Sequence, residues 1–77
     1  MDADKLVRMA NQIAANFDGG SDEAHAVASV TDHITRFWSP LMKNQVIVRW
    51  KERPADLTPR AAAAIEAIAV QQAEQSQ

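Results

Sequence analysis

The side chains best able to do chemistry in this sequence are two histidines, a few serines and ten carboxylates; there is no cysteine. His25 and His33 lie eight positions apart on one predicted helix. At about 1.5 Å of rise per residue they stand roughly 12 Å apart, and about 80° apart around the axis, too far to share a metal ion. His33 follows Asp32, which suggests a general base, but adjacent residues on a helix do not face each other. Ser21, Ser29 and Ser39 fall at cap or helix positions, with no strand-turn-helix elbow to raise a nucleophile. Gly19-Gly20 lacks the spacing that cradles a phosphate and reads as a helix stop. Asp56 and Glu66 have no counterpart that would make a catalytic carboxylate pair. The expectation is a chain with no active site, no metal site and no cofactor of its own.

What remains is recognition. Between His33 and Arg53 lie Arg36, Lys43, Arg49, Lys51 and Arg53 against one acid, Glu52, with Phe37, Trp38 and Trp50 interleaved. A helix-turn-helix on DNA could carry such a stretch, with Lys43, Asn44 and Gln45 opening a recognition helix, so a small DNA-binding regulator is the alternative reading. Against it, the net charge is −2, and such charges usually form a solvated face. The aromatic residues favour a protein partner. On one helix Phe37 and Trp38 would point about 100° apart, so a small core can hardly take both. One reading puts one of them in the core and the other over the helix-helix corner; the other reading leaves one of them exposed as an anchor for a partner. Met9 and Met42 suit the same surface because methionine packs adaptably. On the first segment Arg8, Asn11, Gln12 and Asn16 are polar, and neutral amides beside an apolar stripe can pair with a partner's backbone.

These residues need helices to position them. Leu6, Met9, Ala10, Ile13 and Phe17 recur at helical spacing from about Asp4 to Phe17, and Asp18-Gly19-Gly20 ends that segment. Ser21 is a suitable N-cap for a second helix carrying Ala24, Val27, Val30 or Thr31, Ile34, Phe37 and Trp38. Ser39-Pro40 reads as the cap and first residue of a third, turning at an angle from the second. Val46-Ile47-Val48 alone resembles a strand, but nothing else in the sequence could pair with it, and Leu41/Gln45/Val48 and Met42/Val46/Trp50 form helical rows. Arg53–Asp56 is a loop. Thr58-Pro59 opens a fourth, alanine-rich helix with Ile65 and Ile68 on its apolar side. The fold class is therefore all-α, a small orthogonal bundle of three to four helices, with residues 1–70 as one domain and 71–77 as a flexible polar tail.

At 77 residues such a bundle is marginal alone, since ordering the chain costs about as much as its small core returns. Without cysteine there is neither a disulfide nor a thiolate zinc site to help, which again points to a partner. The start, Met1-Asp2-Ala3-Asp4, does not read as a signal peptide, and the longest apolar run is far below the roughly 20 residues of a membrane span. A cytoplasmic location is expected, with no membrane and no nucleic acid among the partners.

At three places the sequence resembles a known family. Residues 6–17 look like the opening of the delta subunit of bacterial NAD-dependent formate dehydrogenase. Asp32–Met42 is similar to that family's central His-Ile-x-x-Phe-Trp-x-Pro-x-Met pattern, and Leu57-Thr58-Pro59 with its alanine-rich continuation is similar to a third block. The blocks span most of residues 5–70, whereas Val46–Arg53 resembles none of them. The resemblance implies a non-catalytic accessory subunit of a cytoplasmic molybdenum enzyme. Its partner would be the large, molybdopterin-binding catalytic subunit, whose assembly, maturation or stability it would support. Molybdopterin, iron–sulfur clusters and flavin would all belong to other subunits. The matching central positions are His33, Arg36, Phe37, Trp38, Pro40 and Met42; with Arg8, Met9, Asn11 and Gln12 they form the expected partner-binding set. Isolated, the chain could self-associate.

Overall fold

A computed structural model describes residues 2–17 and 22–75. Among these residues there are four α-helices and no strand: α1 (Ala3–Asn16), α2 (Glu23–Phe37), α3 (Pro40–Glu52) and α4 (Pro59–Gln75), with a short 3-10 turn at Pro54–Asp56. The Val46-Ile47-Val48 run is helical, as the lack of a pairing strand requires.

Local chemistry explains most of the boundaries. Asp2 accepts from the Asp4 N–H at 3.1 Å and caps α1. Ser39 Oγ accepts from the Met42 N–H at 3.3 Å, and Pro40 fills the first position of α3, where a missing N–H costs nothing. Thr58 Oγ1 does the same for the Ala61 N–H at the start of α4. The second helix departs from expectation, because its cap is Asp22, which accepts from the His25 N–H at 3.1 Å. Ser21 and the Asp18-Gly19-Gly20 stop lie outside the described residues. Arg53–Asp56 tightens into the 3-10 turn through the Asp56 N–H on the Arg53 carbonyl and the Leu57 N–H on the Pro54 carbonyl. Leu57 is thereby delivered into the core. Helix α4 continues through residues 71–75, where all but Gln72 are exposed.

The core joins Leu6, Val7, Ala10 and Ala14 of α1 to Val30 and Ile34 of α2, Val46 and Ile47 of α3, and Ala61, Ala64, Ile65 and Ile68 of α4. Helix α2 lies mainly along α4, and α1 against α3 and α4. Alanines at these contacts let backbones come close while burying little area per turn. On α1 the deep row is Leu6, Val7, Ala10 and Ala14, and the expected Met9, Ile13 and Phe17 are half-buried at its edge. Ala14 is buried on that row, and its carbonyl accepts from Arg60 of α4. On α3 the two rows part company: Met42, Val46 and Trp50 face the core, while Leu41 and Val48 face outward. An ion pair between Arg49 and Asp4 ties α3 to α1.

Candidate partner-binding face

The corner between α2 and α3 is built from two residues, Trp38 and Ser39. Helix α2 ends at Phe37, and Trp38 has extended backbone angles, φ −93° and ψ 139°. The chain thus leaves the helical path between the two aromatics, and their side chains separate. Trp38 turns inward and is only 6% exposed, whereas Phe37 stays out at 72%. Of the two readings open for this pair, Trp38 is the core residue and Phe37 the exposed one. Just past the corner Pro40 is exposed and Leu41 is 63% exposed; two turns along α3, Val48 is 55% exposed.

His33 supports Phe37 from below. Its ring meets Phe37 with centroids 4.9 Å apart, and meets Phe17 at the end of α1 edge-on at 5.8 Å. The imidazole therefore packs between two phenyl rings, across the α1–α2 seam, and holds Phe37 in place. Arg36 is exposed and paired with Asp32 one turn earlier at 3.1 Å. Met42 and Met9 are half-buried against the core, and Arg8 and Gln12 are exposed.

Asn11 makes contacts within the chain. Its Nδ2 donates to the Asp56 carbonyl at 3.0 Å and its Oδ1 accepts from the Thr58 N–H at 3.0 Å. The amide bridges α1 to the loop before α4 with one of its two N–H donors and one acceptor position. Beside it is a residue that sequence reasoning missed. Arg60 forks onto both carboxylate oxygens of Glu23 at 2.8 Å and donates to the carbonyls of Ala14 at 2.9 Å and Phe17 at 2.7 Å. It closes the last turn of α1 onto the first turn of α2. The arginine holds the Glu23 carboxyl below its ordinary value of 4.5, chiefly by hydrogen bonding. A signal for Arg60 did exist: a cation in the first turn of a helix opposes the helix dipole, so such a residue tends to serve another element. A depression of about 460 Å³ beside Asn11, Thr58 and Arg60 is otherwise lined mainly by apolar side chains, among them Ala14, Ala15, Val27 and Ala63.

Several residues of the stretch that could read DNA are engaged within the chain, while Asn44, Lys51 and Arg53 are exposed. Arg36 and Arg49 are in ion pairs, Lys43 reaches back to the Thr35 carbonyl at 3.5 Å, and Gln45 has its Oε1 buried. Among the described residues no three His, Cys, Asp or Glu side chains gather closely enough to hold a metal ion. No described helix is long and apolar enough to cross a membrane.

Comparison with known families supplies the deciding observation. The family model for the NADH-dependent formate dehydrogenase delta subunit, FdsD, matches residues 5–65, from the start of α1 into α4. The chain belongs to the FdsD family. The match takes in the whole α2–α3 corner, and also residues 46–53, the stretch that resembled no block on sequence alone. No curated protein and no solved structure gives a significant match. As an FdsD-family chain, this bundle is a formate dehydrogenase delta subunit, and its exposed aromatic corner lies within the part that defines the family.

Proposed function

We propose that this chain is a non-catalytic accessory subunit that binds the large, molybdopterin-binding subunit of an NADH-dependent formate dehydrogenase in the cytoplasm and supports its assembly, maturation or stability. The observation that carries the reading is the pairing of family membership with an exposed Phe37, held up by His33 at a family-matching position rather than buried with Trp38. A side chain this large is usually covered in a finished assembly, and aromatics at such sites often anchor a complex. Of the expected contact residues, Arg8, Gln12, Arg36, Phe37 and Pro40 are available at the surface, with Met9 and Met42 at its edge. Trp38 and Asn11 support from within.

The test is native co-purification from cells expressing the whole enzyme. Tagged chain should bring down the catalytic subunit, and failure to recover it under native conditions removes the reading. Stoichiometry then separates two modes of action. An equimolar band in mature enzyme marks a permanent subunit, and its loss after maturation marks an assembly factor.

A further inference from the structure

Helix α3 is apolar on two opposite sides, and the bundle has a core beneath only one of them. Val46 and Ile47 are buried, while Leu41 and Val48, seven residues apart and hence on one face two turns from each other, are exposed. Beside Val48 runs a groove of about 310 Å³ between α3 and the start of α1, lined by Ala3, Asn44, Gln45, Val48, Arg49 and Glu52. At this groove Gln45 Oε1 is buried with no hydrogen-bond partner among the described residues, which is rare for a buried polar atom.

Charge says what should cover this face. Residues 36–53 hold five of the eight basic residues and one of the ten acids, although the chain as a whole is acidic. Arg36 and Arg49 are paired with Asp32 and Asp4. Lys51 and Arg53 are exposed and have no ion pair among the described residues, and Glu52 is the one acid between them. We infer that the outer face of α3, with Leu41 and Val48, receives a segment of a partner protein whose apolar side is flanked by carboxylates; this rests on the accessory-subunit reading. Two copies meeting through this face would bring two net-basic segments, residues 36–53 of each, against one another, a like-charge contact. A head-to-tail pairing with the exposed Val70 of another copy, which Glu66 and Glu74 flank at one turn on either side, has suitable chemistry but would propagate instead of closing a pair. On DNA, an apolar ridge at the centre of the face would have no counterpart.

The experiment uses the full chain with formate dehydrogenase purified without it. Carbodiimide coupling, which joins amines to carboxylates in contact, should link Lys51 to Asp or Glu of an enzyme subunit. Leu41→Asp with Val48→Asp should weaken the complex at least about 30-fold, the scale of losing buried anchors, with the free protein's melting unchanged because both side chains are exposed. Lys51→Glu with Arg53→Glu should weaken it about tenfold, mainly through slower, salt-sensitive association. If the complex forms but couples only through other lysines and ignores the Asp variants, the inference falls and the accessory-subunit reading survives. If no complex forms, both fall. Coupling of Lys51 to Glu66 or Glu74 of a second copy, or tight duplex DNA binding that the Asp variants leave intact, would overturn the inference as well.

Discussion

Two regions of this bundle treat their side chains in opposite ways. Where α1, α2 and the start of α4 meet, Arg60, Glu23, Asn11 and Thr58 bond one another's backbone and side chains across 37 to 47 residues of sequence. On α3 and at the corner before it, Phe37, Leu41 and Val48 face water. Phe17 belongs to both, since its carbonyl accepts from Arg60 and its ring meets His33, which in turn meets Phe37. The contrast teaches a division of labour. The polar seam fixes the helices of a small domain, and the apolar face stays exposed, where the proposed partner would sit.

The sharpest way to break that comparison is to truncate the two adjacent aromatics separately. Trp38→Ala empties a site in the core and should cost about 3–5 kcal/mol, enough to unfold most of a domain this small. Phe37→Ala loses only its contact with His33 and should cost the free chain about 1 kcal/mol or less, while partner binding fails. Urea titrations of both variants beside a pull-down measure the split. Equal destabilisation by the two would mean that Phe37 belongs to the core.

Arg60 comes next. Arg60→Ala leaves the Ala14 and Phe17 carbonyls without this donor and Glu23 without its fork, and a loss of about 2 kcal/mol is expected from urea unfolding. Arg60→Lys keeps the charge but not the planar fork, so it should recover only part of that loss. Asn11→Ala removes one donor and one acceptor between α1 and the Asp56–Thr58 segment, and about 1 kcal/mol should go with them. Neither change should affect binding beyond its effect on folding. A binding defect in a fully folded Asn11→Ala protein would return that amide to the contact surface.

How much of this could be read in advance follows the range of the interaction concerned. Ser39-Pro40 and Thr58-Pro59 were legible because a cap acts within one turn. The helix at Val46–Val48 was legible because a strand needs a second strand. The conflict at Phe37-Trp38 was visible, but its outcome was not. The 100° rule assumes continuous helix, and the backbone leaves the helix at Trp38. Arg60 and Asn11 could not be assigned from the sequence, since their partners are dozens of residues away and meet them only once the bundle has closed. The outer face of α3 was half legible. Two apolar rows were evident on it, and only packing decided which one the core would take.

The smallest expected effect concerns pH and probes the polar seam alone. Glu23 is held below its ordinary value of 4.5 in the folded chain by Arg60. A carboxyl depressed on folding adds stability that is fully present above its unfolded value and is lost as pH falls through the folded one. Glu23→Gln keeps a hydrogen-bonding side chain and loses the charge. Wild type should therefore melt slightly higher than Glu23→Gln by a constant margin above about pH 5, and the margin should close as pH drops below the ordinary carboxyl range. Because the pair is exposed, added salt should shrink the margin at neutral pH too. Differential scanning calorimetry across pH and salt would show both trends. A margin that persists unchanged into strong acid would mean that the Glu23 charge contributes nothing, leaving the seam to the Arg60 bonds with the α1 carbonyls and to the Asn11 bridge.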